Sequence, residues 1–172
     1  MTPQQTFINK EIWILTFGGA FQRANIYASN VSEKQRNVFR AALSKYVEEI
    51  VFPQYKKAVN EESHINNIKK IISFSKGYES RVLSNNQLKF GVAQKILNLY
   101  LKYQWCLGNI QPPPHFPIDR IIQQKLKFKP IINWTSMKSE EEYKSIIECA
   151  RKDAEEKGVS LAEWELEEFT RR

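Results

Sequence analysis

The sequence predicts an all-α fold, a compact single-domain orthogonal helical bundle over residues 1–172. Apolar residues recur at three- and four-residue spacing along most of the chain. Three Ser-x-x-Gln/Glu capping boxes open such runs, and no stretch alternates with the period of two that marks a half-buried strand. Of the 172 residues, 42% are hydrophobic and 26% charged, which is ordinary for a globular domain with a core of its own. With 6 glycines and 7 prolines, three of the prolines in one run, the composition is not that of a disordered chain.

Residues 1–30 give no clean period. Phe7, Ile12, Trp13, Ile14, Leu15, Phe17 and Phe21 need packing partners, and Gly18-Gly19 marks a turn or a close backbone approach. Ser32-Glu-Lys-Gln35 is a capping box. Its helix has an apolar face of Val38, Phe39, Leu43, Tyr46, Val47 and Ile50, which Pro53 should end or kink. A second helix carries Ile65, Ile68, Ile71, Ile72 and Phe74. It should end near Lys76-Gly77, where a glycine suits a left-handed C-terminal position.

Residues 78–89 are polar and turn-like, with Asn85-Asn86. The most apolar helix follows. Phe90, Val92, Ile96, Leu97, Leu99, Tyr100, Leu101, Tyr103 and Trp105 leave it little polar face, so it belongs at the centre of the core. Gly108-Asn109 stops it, Pro112-Pro113-Pro114 forms a stiff extended linker, and Pro117 falls at the first turn of a helix with Ile118, Ile121, Ile122 and Leu126. The boxes Ser139–Glu142 and Ser160–Glu163 open two more helices. The first carries Tyr143, Ile146, Ile147 and Ala150 and ends at Gly158; the second carries Leu161, Trp164, Leu166 and Phe169.

The net charge is +7 and unevenly spread. Residues 1–130 form a basic body with 19 Lys and Arg against 8 acids; the C-terminal helices of residues 131–172 hold 7 against 11. From Ser63 to Pro130 there are 11 cations and only two acids, Glu79 and Asp119. Such a field favours a polyanion, DNA or another nucleic acid, against the alternative of a solvated basic surface with no specific partner. Cys106 and Cys149 read as free, buried or half-buried thiols of a reducing compartment. The two histidines, His64 and His115, are isolated from both, so no metal site and no cofactor are expected. No secretory signal is visible, and no apolar stretch approaches the roughly 20 residues that span a bilayer. The expected location is the cytoplasm, on the nucleoid in a prokaryote, with no membrane partner.

Two residues are candidates for chemistry. Lys95 stands early in an otherwise apolar helix, where apolar walls make a lysine easier to deprotonate and usable as a nucleophile; the plain alternative is a lysine snorkelling from a helix end. Asp119 follows Pro117 at a helix start, where it can stabilise a developing cation or simply cap amides. Tyr100, Tyr103, Trp105 and Phe116 can stack on a base drawn out of a duplex. Helical spacing favours core packing for the first three. His115 and Phe116 lie in an extended segment, where core packing accounts for them less well.

Gly91-Val-Ala-Gln-Lys95-Ile-Leu-Asn98, followed by Pro117-Ile-Asp119-Arg-Ile-Ile122, resembles the core of the helix-hairpin-helix base-excision DNA glycosylases, the family of endonuclease III and the 8-oxoguanine glycosylases. The likeness runs from Gly91 to Gln123, about a fifth of the chain, and Ala93 stands where the family has a second glycine. It implies a helix-hairpin-helix-like fold and cleavage of the N-glycosidic bond of a damaged or modified base, with or without lyase activity. Lys95 and Asp119 would be catalytic: Lys95 attacks the sugar C1′ while Asp119 opposes the charge building on the sugar or primes the nucleophile. Lys89, Gly91, Lys102 and Arg120 would hold DNA phosphates, the glycine through helix N-terminal amides. Gln94, Trp105, His115 and Phe116 would form the base pocket. No cluster-binding cysteines follow, so no iron–sulfur cluster is implied.

Two other functions fit the residues. A basic helical face can bind DNA or RNA without chemistry. The acidic C-terminal helix, with Trp164, Leu166 and Phe169 among glutamates, can dock on a basic protein partner or on this chain's own body.

Overall fold

The computed structural model describes residues 2–78 and 81–169; Glu79, one of the two acids of the basic stretch, lies outside the described residues. Among the described residues there are seven α-helices and no strand, only an isolated bridge between Tyr27 and Leu83. No helix of the described residues is long and apolar enough to cross a membrane.

Helix α1, Pro3–Phe21, begins at a capping box, Thr2 with Gln5, and runs straight through Gly18 and Gly19. Of the two expectations for that pair, the close approach holds: a Cβ on Gly19 would come 2.8 Å from Leu99 Cδ1. Helix α2, Glu33–Tyr46, starts at the expected Ser32–Gln35 box. It passes into a π turn, Val47–Val51, and a 3-10 turn, Phe52–Lys56. The break falls in the turn before Pro53, as expected of a proline that crowds the carbonyl four residues back. Pro53 itself sits in the first positions of the 3-10 turn, where its missing N–H costs nothing.

Helix α3, Glu61–Lys76, is capped by Asn60. Gly77 is right-handed (φ −77°), not left-handed as expected, and its N–H simply continues the helical pattern to the Ser73 carbonyl. Residues 77–89 then lead to helix α4, Phe90–Cys106, so α3 and α4 are not joined by a short hairpin. Part of this connection is tied to the segment after α1: Ala28 N–H donates to the Val82 carbonyl and Ser84 N–H to the Ile26 carbonyl.

Helix α4 is the axis of the core. Ile96, Leu97 and Leu101 are fully buried, and α1 packs along it with Trp13 stacked on Tyr100 at 4.5 Å between ring centroids. It stops where expected, with Gly108 at φ +73°. Pro117 does not lie in a helical turn. Helix α5, Arg120–Lys125, begins after Asp119, whose side chain is the cap. Helices α6, Glu140–Lys157, and α7, Leu161–Glu168, start at their expected boxes, and left-handed Gly158 (φ +68°) ends α6. Trp164 is buried, whereas Leu166 and Phe169 are exposed. Cys149 is half-buried; Cys106 is exposed, against expectation, because α4 ends there.

The two glycines of most consequence differ sharply. A Cβ on Gly91 would stand 1.9 Å from the Trp134 carbonyl oxygen, whereas one on Gly18 meets nothing within 4 Å. Gly91→Ala should therefore destabilise the fold by about 3 kcal/mol or more, the upper end of overpacking costs. Gly18→Ala, in an exposed helical turn, should stabilise it by about 0.5–1 kcal/mol. Thermal denaturation of the two variants checks both signs.

Candidate active site at Lys95 and Asp119

The segment between α4 and α5 has no regular secondary structure, and side chains of α4 hold it. Gln94 acts as a surrogate peptide: its Nε2 donates to the Ile118 carbonyl at 3.0 Å and its Oε1 accepts from Ile118 N–H at 3.2 Å. One turn on, Asn98 Nδ2 donates to the Phe116 carbonyl at 2.9 Å. These bonds lay residues 116–118 along α4 and deliver Asp119 to Lys95, 24 positions earlier in the chain.

Lys95 Nζ lies 3.3 Å from Asp119 Oδ2 and 4.1 Å from the centroid of the Trp134 ring. Asp119 divides its oxygens. Oδ1 accepts from the N–H groups of Ile121 and Ile122 at 2.8 and 3.1 Å, capping α5, while Oδ2 faces the lysine. Both sequence-level roles for Asp119, cap and charge partner, thus coexist in one carboxylate. Only 9% of the Lys95 side chain is exposed. Burial lowers its pKa below the usual lysine value, and Asp119 opposes part of that shift. Arg23 and Glu165 also act on it electrostatically.

A second ion pair lies two turns along the same face of α4. Lys102 Nζ reaches both oxygens of Glu165 on α7, at 3.0 and 2.8 Å, and lies 3.9 Å from the Phe169 ring centroid. Both partners are buried. Burial raises the Glu165 pKa and Lys102 opposes the rise.

The other expected site residues take varied places. Arg120 is exposed beside Asp119, and Lys89, half-exposed, precedes the first turn of α4. The Gly91 N–H donates to the Met137 carbonyl at 3.1 Å, so that amide is engaged within the fold and not offered to a phosphate. Lys102 is engaged by Glu165. Gln94, His115 and Phe116 are buried in the core, and Trp105 keeps partial exposure. The crevice that Trp105, His115 and Phe116 share with Lys102 and Glu165 has no room for a water molecule. His115 and Phe116 are core residues after all: Phe116 packs on Trp164 at 5.5 Å, and His115 shares a 3.0 Å hydrogen bond with the Tyr143 hydroxyl.

The His115 ring also meets the His64 ring edge-on at 4.8 Å. His64 in turn shares a 2.8 Å hydrogen bond with Tyr55. Burial lowers the pKa of His64 to about 3 and that of His115 well below its ordinary value, the His115 shift reinforced by His64 and by Arg151. No group of three His, Cys, Asp or Glu among the described residues is placed to hold a metal. Sequence reasoning missed Trp134, Arg23 and Glu165, which lie on elements remote from Gly91–Gln123; a lone tryptophan in the polar loop Asn133-Trp-Thr-Ser136 was the only signal available.

Comparison of the chain with protein-family models, with curated proteins and with solved structures finds no match.

Two predictions follow from these buried groups. Removing one partner of the Lys102–Glu165 pair, as in Glu165→Ala, should cost about 3–5 kcal/mol, because it strands a buried charge. The double variant Lys102→Met/Glu165→Leu should recover most of that loss in urea denaturation. The histidines set an acid limit. Their folded pKa values lie below the unfolded 6.5, so the stability tied to their neutral forms is complete above pH 6.5 and drains away as pH falls towards the folded values. Between pH 6.5 and 5 the unfolding free energy should fall with a slope that approaches about 1.4 kcal/mol per pH unit for each histidine. A flat profile there would mean that the folded protein takes up the same protons.

Proposed function

We propose that this protein binds DNA and cleaves the N-glycosidic bond of a damaged or modified base, with Lys95 and Asp119 as the reacting pair. The observation that carries the reading is their meeting: a depressed lysine and a carboxylate, 24 positions apart, 3.3 Å from each other. The resemblance of Gly91–Gln123 to the base-excision glycosylases assigns these same two residues.

The chemistry suits the pair. Neutral Lys95 attacks C1′, and the new C–N bond forms as the bond to the base breaks, the base leaving with the electron pair and a proton. Positive charge builds on the sugar during this step, and the Asp119 carboxylate opposes it. Ring opening then moves the nitrogen's proton to O4′ and leaves a C1′=Nζ imine. Capping of α5 through Oδ1 fixes Asp119, so that its reactive oxygen is preplaced. Arg120, Lys127 and Lys129 are exposed on α5 and the turn after it and supply contacts for a phosphate backbone, whereas Lys125 between them is paired with Glu168 at 3.7 Å.

A second reading, a binding module without chemistry, is favoured by the completeness of the ion pair, since a lysine already matched to a carboxylate needs no substrate to explain it. Borohydride trapping on duplexes with abasic sites or modified bases separates the two. The wild-type chain should form a covalent adduct that Lys95→Arg cannot form. Asp119→Asn, which retains a capping oxygen, should lower base release by about 100-fold. No adduct and no base release, with salt-sensitive DNA binding kept by both variants, leaves the binding module.

A further inference from the structure

A second site, independent of the Lys95–Asp119 pair, lies where α1, the π and 3-10 turns and the end of α4 meet. There a cleft of about 540 Å³ opens, within the size range of small-ligand sites. Ile8, Ile12, Phe52, Tyr100 and Leu107 give it an apolar and aromatic wall; Glu48 contributes a carboxylate and Lys56 an ammonium.

The carboxylate is firmly held. Its Oε1 accepts from Trp13 Nε1 at 2.5 Å and from Asn9 Nδ2 at 2.6 Å. Behind Asn9 the amides follow in series: Gln104 Nε2 donates to Asn9 Oδ1 at 3.4 Å, and Asn109 Nδ2 to Gln104 Oε1 at 2.8 Å. All these dipoles run one way, towards Glu48. Every donor on Oε1 is neutral. Among the described residues no cation lies within ion-pair distance of Glu48, and no hydrogen bond reaches Oε2. The residue sits on the π turn, and inserted turns of this kind recur at functional sites. Lys56, for its part, donates to the Asn109 carbonyl at 3.2 Å and lies 4.9 Å from the Phe52 ring centroid.

A carboxylate oxygen left over in a cleft of mixed polar and apolar lining selects N–H donors, and an ammonium at the rim selects an anion. The apolar part of the wall, with half-buried Phe52 as its open aromatic ring, suits a flat ring. A purely cationic ligand would meet Lys56, and a purely anionic one Glu48. We infer that the cleft binds a nucleoside monophosphate whose base carries an exocyclic amino group, the amino edge on Glu48 and the phosphate on Lys56.

Calorimetric titration of the whole chain with AMP, CMP, UMP and adenosine tests this. AMP or CMP should bind at least ten-fold more tightly than UMP, which lacks the amino group. Glu48→Gln should lower that affinity about ten-fold and narrow the gap to UMP. Lys56→Ala, at an exposed position that leaves the fold intact, should weaken AMP at least ten-fold and leave adenosine unchanged. Lys95→Ala should change none of these values, which separates this site from the proposed glycosylase pair. Absence of binding at millimolar nucleotide, equal affinity for AMP and UMP, indifference of AMP binding to Lys56→Ala, or tighter binding of free arginine than of any nucleotide would each overturn the inference.

Discussion

Buried carboxamides that stand in for peptide groups hold this molecule's irregular half together. A chain crossing a core without helix or strand must still satisfy its N–H and C=O groups, because each buried orphan costs about as much as a lost hydrogen bond. Gln94 answers both groups of Ile118, and Asn98 answers the Phe116 carbonyl. Gln123 repeats the device, donating to the Ile132 carbonyl and accepting from Ile132 N–H, both at 2.8 Å. One glutamine seats the chain that brings Asp119 to Lys95; the other seats the chain that leads to Trp134. The Gly91–Met137 bond closes the circuit from the far side, possible because glycine lets the Trp134 carbonyl approach α4.

On that scaffold α4 carries an unusual load. Its apolar sides are enclosed by α1 and α3, while one face presents Lys95 and Lys102 to Asp119 and Glu165. Opposite charges in like number keep the cluster tolerable at that depth. The two pairs are not equivalent. Glu165 is almost entirely enclosed, whereas Asp119 retains 28% side-chain exposure. The outer pair is therefore the one open to solvent, and the inner pair is part of the fold.

Much of the architecture was legible because it is locally encoded. Capping boxes at Ser32, Ser139 and Ser160 mark helix starts by a hydrogen-bond pattern complete within four residues, and Gly158 marks an end by its backbone freedom. Misreadings fall where distant packing decides. Gly18 and Gly19 left a turn and a close backbone approach both open, and only the distant Leu99, against Gly19, decides for the approach. Gly77 ends α3 without needing the left-handed region that glycine permits, and Pro117 precedes its helix because Asp119, not proline, holds the cap. At the candidate site, Lys95 and Asp119 stood out as a polar residue among apolar ones and an acid among bases. Trp134 and Glu165 did not, because each acquires its meaning only from a neighbour dozens of residues away. The π turn that carries Glu48 has no local signature at all.

The pairing of Lys102 with Glu165 also orders events on the ribosome. Helix α4 leaves the exit tunnel well before α7, and its apolar sides can begin to gather α1 and α3 at once. Its charged face cannot be closed in the same way, since the carboxylate that matches Lys102 has not yet been made. Until then that ammonium must stay in water, and the segment bearing His115 and Phe116, which α7 later covers through Trp164, has nothing to seal it. The nascent chain thus carries one wet, unsealed flank until α7 is translated.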